Sequence, residues 1–295
     1  MRDTIIMNQN ALDALEQSNF NAALELFREN ARNVPCHLTL NNLGKFYFDH
    51  GNRMKNRKWR CADQLGLCYL QKARSIATNR VNLMNIGMAL FAVGNPIEAC
   101  NIFELAGYND LTGIARYNTG VCLLAMKKFK EAEYVFLDLT RQSDDGIVNF
   151  SEEHDPRVAL LFSSLLSQSA FGYSGSAELV EHVLARIDDY DKIALLYLLG
   201  HFEELIELSD SFLDNWIPSI ELSAMILDSA VRIGGEKAEQ VKERIRQNSK
   251  ASVGKMIRSP QLLNKTALAF NYSAPLIEEC GYYGCRQHHT PLPTM

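Results

Sequence analysis

Three asparagines, Asn42, Asn85 and Asn118, each stand two residues before a glycine. The first two are 43 residues apart and the last two are 33 apart, and Gln9 holds the equivalent place before Ala11. A side-chain amide carries a donor and an acceptor, so it can match the N–H and C=O of an extended peptide backbone. Aligned by a repeated fold, these residues could bind main chain regardless of its sequence. The alternative is that each amide bonds a neighbouring helix end or faces solvent.

Apolar side chains accompany these amides at helical spacing. The set is Met84, Met88, Phe91, Tyr117 and Val121. A groove that contains flexible methionines suits an adaptable partner helix or strand. The alternative is that the chain's own second half or tail covers these residues. Lys45 lies in the same region and could pair with a carboxylate of a bound peptide.

A basic insertion follows Gly51. It contains five basic residues and a tryptophan: Arg53, Lys55, Arg57, Lys58, Arg60 and Trp59. Such a segment could hold phosphates while the indole stacks on a base. The net charge of −5 argues against a nucleic-acid binder, which is expected to show a basic face. The other interpretation is a solvated loop that extends the neighbouring helix.

Four residues that can ligate metals crowd the end of the chain: Cys280, Cys285, His288 and His289. Thiolates and imidazoles are zinc ligands, but this spacing differs from the usual zinc motifs. A disordered tail is the simpler interpretation. Two others are a tail docked on the chain itself and a tag that a partner enzyme recognises or modifies.

The elements that must position these residues repeat along the chain. Ala23, Gly66, Ala99 and Ala132 form a second series of small residues, spaced by 43, 33 and 33. A large apolar residue follows each of them by four positions. Such self-similarity indicates stacked helical repeats. The periodicity predicts helix pairs at 4–17 and 20–34, 38–50 and 62–77, 81–93 and 96–107, and 112–126 and 129–142.

This pattern resembles the tetratricopeptide repeat. Leu43-Gly44 with Tyr47 matches the first helix of that repeat, and Phe20, Ala23, Phe27 and Pro35 match the second. The resemblance implies an all-α solenoid of about seven or eight antiparallel helix pairs wound into a superhelix. It also implies that the first helix of each pair lines a concave face, where the asparagines would form a ladder for a peptide. The insertion after Gly51 and Pro96 in place of an aromatic depart from the family pattern.

The same pattern divides the chain into four parts. Residues 1–141 carry four repeats, 142–156 form an acidic linker, 157–250 carry degenerate helical repeats and a cap, and 251–295 form a tail. A charged last helix suits the end of a solenoid, because terminal repeats need a polar outer face.

Several classes of protein are disfavoured. No phosphate-binding glycine loop, nucleophile elbow or His-Glu-x-x-His motif is present, so neither an enzyme nor a cofactor is expected. No apolar stretch approaches the roughly 20 residues of a membrane span, and a cytoplasmic location is expected. The leading prediction is an adaptor, chaperone or regulatory scaffold that binds a peptide or protein on its concave face. The alternative is a carrier whose Cys/His-rich tail, 280–295, a partner enzyme recognises.

Overall fold

The computed structural model describes residues 2–51, 62–108, 110–167, 177–210, 213, 219–248 and 260–287. The described residues form α-helices, one 3-10 helix and loops, without a β-strand. They group into two compact units. The first combines Met1–Met126 with Pro275–Met295, and the second is Lys127–Ala274.

The first unit is a stack of helix pairs. Its helices are α1 (Arg2–Glu16), α2 (Phe20–Asn33), α3 (His37–His50), α4 (Ala62–Ile76), α5 (Arg80–Ala92), α6 (Pro96–Gly107) and α7 (Ile114–Ala125). Asparagines begin several of them: the side chain of Asn79 accepts from the amide of Asn82 at 3.1 Å, and that of Asn95 from Glu98 at 3.3 Å. An N-cap of this kind satisfies a backbone donor that has no partner within the helix.

Glycines bring neighbouring helices of this unit close together. A Cβ on Gly44 of α3 would lie 2.9 Å from the carbonyl oxygen of Gly66 in α4. A Cβ on Gly87 of α5 would lie 2.5 Å from the ring of Phe103 in α6. The recurring small residues therefore have a packing role, as the repeat pattern predicted.

The second unit is also helical. It comprises α8 (Phe129–Asp144), a 3-10 helix (Glu152–His154), α9 (Pro156–Ser167), α10 (Ala177–Leu184), α11 (Asp189–Leu199), α12 (Phe202–Asp210), α13 (Ile220–Ile233), α14 (Gly235–Asn248) and α15 (Pro260–Ala267). Helix α8 packs against α9, and α15 packs against α13. Phe162 of α9 stacks on Tyr272, with ring centroids 4.0 Å apart.

The division into units differs from the one drawn on the sequence. The first unit ends at Met126, before α8, and it includes the end of the chain from Pro275. The acidic segment 142–156 holds the last turn of α8 and the 3-10 helix, both within the second unit. The prediction of an all-α solenoid of antiparallel helix pairs is confirmed.

Candidate peptide-binding groove

The end of the chain lies on the asparagines of the first unit. Residues 275–282 have neither helical nor strand structure, and a turn follows at Tyr283 and Gly284. This segment, 275–287, is called the tail below. Its backbone contacts side chains of α1, α3, α5 and α7, which alternate along the chain with α2, α4 and α6. We call the face that these helices form the groove.

Two asparagines each make a paired hydrogen bond with one tail residue. Asn118 Nδ2 donates to the carbonyl oxygen of Ile277 at 3.0 Å, and the amide of Ile277 donates to Asn118 Oδ1 at 2.8 Å. Asn42 repeats the arrangement with Tyr283, at 3.0 Å and 2.8 Å. Both side chains therefore satisfy a backbone donor and a backbone acceptor at once.

Further amides hold the carbonyl groups of Gly281 and Tyr283. Asn41 Nδ2 and Asn85 Nδ2 both donate to the carbonyl oxygen of Gly281, at 2.7 and 2.9 Å. Asn8 Nδ2 donates to the carbonyl oxygen of Tyr283 at 2.9 Å. All three side chains are buried. Because unsatisfied buried polar groups are costly, these amides and the tail backbone stabilise each other.

The amides also bond to one another. Asn42 Nδ2 donates to Asn8 Oδ1 at 2.7 Å, and Asn85 Nδ2 donates to Asn41 Oδ1 at 2.9 Å. These bonds link α1 to α3 and α3 to α5. The orientation of each amide is thus set by its neighbour as well as by the tail.

Gly281 allows the backbone to approach this network. A Cβ at this position would lie 1.8 Å from Asn85 Oδ1, far inside van der Waals contact. The residue is buried. Only glycine therefore fits without displacing the amide that binds its carbonyl group.

Tyr282 fills the apolar part of the groove. Its ring stacks on Phe27 at 6.0 Å, and the residue is part of the core cluster of α1, α2 and α3. Its hydroxyl donates to Asp49 Oδ2 at 3.0 Å. Burial, followed by the nearby carboxylate of Asp49, raises the pKa of Tyr282 well above its ordinary value. This phenol is held in its neutral form.

Tyr283 lies between α3 and α5. Its hydroxyl is 2.7 Å from Asn79 Oδ1 and 2.9 Å from Asn82 Oδ1, two acceptors at the N-terminus of α5. Its ring meets His37 edge-on at 5.7 Å. Burial raises the pKa of Tyr283 to about 12. The groove therefore provides a polar pocket for a neutral phenol.

A charged contact lies further along the tail. Arg80 Nη1 is 2.9 Å from Glu279 Oε1, and Nη2 is 3.2 Å from Asp110 Oδ1. Burial alone would lower the pKa of Arg80, but its bonds with Glu279 and the charge of Asp110 outweigh burial and raise it. The guanidinium therefore stays charged and attracts an acidic residue of the tail.

The sequence-predicted residues fall into two groups. Asn42, Asn85 and Asn118 bond the tail backbone. Four of the apolar set are buried, Met84, Met88, Tyr117 and Val121, whereas Phe91 is half-buried. Met88 Sδ accepts from Asn118 Nδ2 at 3.9 Å. The asparagines thus bond polypeptide backbone, as the ladder interpretation predicts, but that backbone is the chain's own tail.

Two predicted positions have local partners instead. Gln9 Nε2 donates to Asp13 in the same helix, at 2.7 Å. Lys45 is buried, and its Nζ donates to Asp49 Oδ1 at 2.7 Å. Its pairing with a carboxylate of a bound peptide is therefore replaced by pairing within α3. Asn8, one residue before Gln9, makes the tail contact in α1.

Sequence reasoning missed Asn8, Asn41, Asn79, Asn82 and Arg80. For Asn8 a signal exists: it precedes Asn42 by 34 residues, which is the length of a tetratricopeptide repeat. Asn41 adjoins a predicted residue but lies outside the repeat register. Arg80 and the two asparagines at the start of α5 carry no repeat signal. They contact individual side chains of the tail, and such contacts need not recur from one repeat to the next.

The remaining predictions concern the basic insertion and the metal ligands. The insertion residues Arg53, Lys55, Arg57, Lys58, Trp59 and Arg60 lie outside the described residues, as do His288 and His289. Cys280 and Cys285 pack against the core of the first unit. Among the described residues, no group of three or more His, Cys, Asp or Glu is placed to hold a metal ion. Within the same residues, no helix is both long and apolar enough to cross a membrane.

Comparison with known proteins gives a match in structure. No protein-family model and no curated protein matches the sequence. The crystal structure of a tetratricopeptide repeat protein from Parabacteroides merdae matches with a TM-score of 0.59 at 15% sequence identity. The match covers 90% of this chain and 99% of that protein. The resemblance inferred from the motifs is confirmed: this chain has the fold of a tetratricopeptide-repeat α-solenoid.

Proposed function

We propose that the first unit binds an extended segment of a partner protein in the groove, as an adaptor or regulatory scaffold. The observation that carries the proposal is that two asparagines each make two hydrogen bonds to the backbone of one tail residue. Asn42 pairs in this way with Tyr283, and Asn118 with Ile277. The side chains of the groove thus recognise main-chain atoms that every extended polypeptide offers. A partner segment would take the place of residues 277–283.

The tail sets a threshold for such a partner. A segment attached to the same chain competes at an effective concentration on the order of mM. A free peptide of equal intrinsic affinity therefore fails to enter at micromolar concentration. A partner must bind more tightly, bring further contacts, or meet a chain whose tail has left the groove. In this proposal the tail is the resting occupant and regulates access.

The test uses full-length chains and a fluorescent synthetic peptide of the tail sequence, residues 275–287, with anisotropy as the readout. Gly281→Val in the protein should expel the tail, because the added Cβ collides with Asn85. We expect the peptide to bind this variant at micromolar concentration and to leave the wild type unbound. Arg286→Ala is the matched control, because Arg286 is an exposed tail residue whose change should leave the groove closed.

Two further variants make the outcome decisive. Asn42→Ala and Asn118→Ala, added to Gly281→Val, should abolish peptide binding. If Gly281→Val fails to fold by circular dichroism, Ile277→Pro replaces it, since proline lacks the N–H that Asn118 accepts. Equal binding of the peptide to wild-type and tail-expelled chains would overturn the proposal.

The carrier function is less well supported by the geometry. Tyr282 and Tyr283 are buried, and Cys280 and Cys285 pack against the core. An enzyme that modifies this part of the tail would first have to extract it from the groove. We therefore prefer the binding function.

A further inference from the structure

We infer that the groove is selective for a segment of another protein that carries an acidic residue, any residue, a glycine and two tyrosines in succession. This is the pattern of Glu279 to Tyr283 in the tail. The inference rests on the proposed function and adds the identity of the ligand. It depends on three contacts that are separate from the asparagine bonds to the backbone. Two of them recognise particular side chains, and one excludes any side chain.

The first contact excludes side chains at the glycine position. A Cβ at residue 281 would lie 1.8 Å from Oδ1 of Asn85 and 2.4 Å from both its Cγ and its Nδ2. Asn85 is held in place because its Nδ2 also donates to Asn41 Oδ1. The amide cannot move without losing that bond, so even alanine is disfavoured at position 281. This position therefore selects glycine.

The second contact recognises two phenols by their hydroxyl groups. At the first phenol the acceptor is the carboxylate of Asp49, and at the second the acceptors are Asn79 and Asn82. Phenylalanine would fill the same volume but remove the donor to half-buried Asp49 Oδ2 and to buried Asn82 Oδ1, while Asn79 Oδ1 would keep the backbone amide of Asn82. A ligand that lacks the hydroxyl should bind more weakly, because the acceptor loses its hydrogen bond but keeps its desolvation cost. Tyrosine is therefore preferred over phenylalanine at both positions.

The third contact attracts an acidic residue two positions before the glycine. Arg80 lies between Glu279 and Asp110, and about a third of its side chain is exposed to solvent. One carboxylate of the pair belongs to the protein, so a ligand residue supplies the other. A neutral residue would leave the guanidinium with one carboxylate partner, Asp110. A basic residue would be repelled.

The source of the ligand is another protein rather than a second copy of this chain. The tail of a second copy has the same sequence and the same intrinsic affinity. It would compete against a tethered tail at an effective concentration on the order of mM and lose. A different protein can combine the same short pattern with further contacts outside the groove.

The test compares peptide variants on one receiving chain, the full-length Gly281→Val protein under reducing conditions. The parent peptide is the tail sequence 275–287. We expect Gly281→Val in the peptide to weaken binding at least about 100-fold and Gly281→Ala to weaken it less. Tyr282→Phe and Tyr283→Phe should each weaken it about tenfold, which corresponds to the loss of one buried hydrogen bond.

The acidic position has a matched control. Glu279→Gln in the peptide should weaken binding roughly three- to tenfold, an effect that falls with added salt. Glu278→Gln makes the same chemical change at the exposed neighbouring residue and should have little effect. Arg80→Gln in the receiving chain should remove the difference between the parent and the Glu279→Gln peptides, as a double-mutant cycle requires for direct coupling.

The selectivity and the proposed function fail by different outcomes. Equal affinity of all peptides, with the parent bound, would overturn the selectivity and leave the proposed function standing. Failure of every peptide to bind the folded receiving chain would overturn the proposed function itself. Dimers of the wild-type chain at micromolar concentration, dispersed by Gly281→Val, would overturn the assignment to another protein and indicate exchange of tails between copies.

Discussion

The side chain of Asn118 pairs with the backbone of Ile277 through both its oxygen and its nitrogen, although the two residues are 159 positions apart. Asn42 pairs with Tyr283 in the same way. The two pairs lie at either end of a short tail segment. Between them, the carbonyl oxygen of Gly281 accepts from Asn41 and Asn85, and that of Tyr283 also accepts from Asn8. The first unit therefore holds a non-helical polypeptide segment, and that segment is its own tail.

The register of the first repeat can be tested with two neighbouring amides. Asn8 is buried, donates to Tyr283 and accepts from Asn42, whereas Gln9 is half-buried and bonds Asp13 within its own helix. We expect Asn8→Ala to lower the unfolding free energy of the first unit by about 1–3 kcal/mol, because it leaves buried partners unpaired. Gln9→Ala should stay within about 0.5 kcal/mol of wild type. Urea denaturation of the full chain measures both, and equal losses would contradict the assignment of Asn8.

The ion pair beneath Tyr282 predicts a stability loss with a rescue. Asp49 receives bonds from the buried Lys45 and from the Tyr282 hydroxyl. Asp49→Asn should destabilise the chain by about 3 kcal/mol, since it leaves a buried ammonium group without a counter-charge. Adding Lys45→Met should restore part of the loss. Thermal unfolding by circular dichroism compares the single and double variants.

The control for that series is Glu29→Gln, which removes a carboxylate from an exposed position of α2. It should change the unfolding free energy by less than about 0.5 kcal/mol. A double variant no more stable than Asp49→Asn would show that the unpaired charge is not the cause of the loss.

The close contact of α3 and α4 predicts opposite responses of two helical glycines. Gly44→Ala should destabilise the chain by about 1–3 kcal/mol, because its Cβ would approach the Gly66 oxygen to 2.9 Å. Gly107→Ala places its Cβ 3.8 Å from Ala115, an ordinary contact. This change should be neutral or stabilising, because alanine restricts the unfolded chain. Thermal unfolding midpoints separate the two, and a stabilising Gly44→Ala would contradict the packing described.

The phenols of the tail predict a pH dependence. Burial raises the pKa of Tyr283 to about 12, whereas a free tyrosine titrates near pH 10. The bound tail therefore holds its proton more tightly than the released tail. Its binding is at full strength below about pH 10 and weakens as the pH rises towards 12. Release of the tail, followed by fluorescence, should begin in this range.

A difference titration assigns this effect. Phenolate absorbance of wild type minus that of Tyr283→Phe should show a group that ionises near pH 12. A difference centred near pH 10 would show that Tyr283 is exposed to solvent, and the described pocket for its hydroxyl would be wrong.

Much of the helical architecture follows from local pattern. The spacing of Gly44, Gly87 and the alanines of the second helices predicts paired helices, and their observed bounds agree to within a few residues. The reason is physical: close helix approach needs a small residue at the same place in every pair. The same period places Asn42, Asn85 and Asn118 on equivalent positions.

The occupant of the groove has no such local signature. Tyr283 bonds Asn42 although the two residues are 241 positions apart, and no local sequence pattern around either residue indicates this contact. The tail lacks helical periodicity, so its sequence is compatible with a disordered, metal-binding, modified or self-docked segment and does not choose among them. Asn41 was missed because its role exists only where the carbonyl group of Gly281 passes between α3 and α5.

The most direct test of the account is hydrogen exchange, measured by NMR, of the backbone amides of Ile277 and Tyr283. Both should exchange slowly in the wild-type chain, since each donates to an asparagine oxygen at 2.8 Å. Asn118→Ala should accelerate Ile277 and Asn42→Ala should accelerate Tyr283, while Asn101→Ala, an exposed asparagine of α6, should change neither. Exchange of both amides at the rate of an unstructured peptide in the wild type would contradict the account.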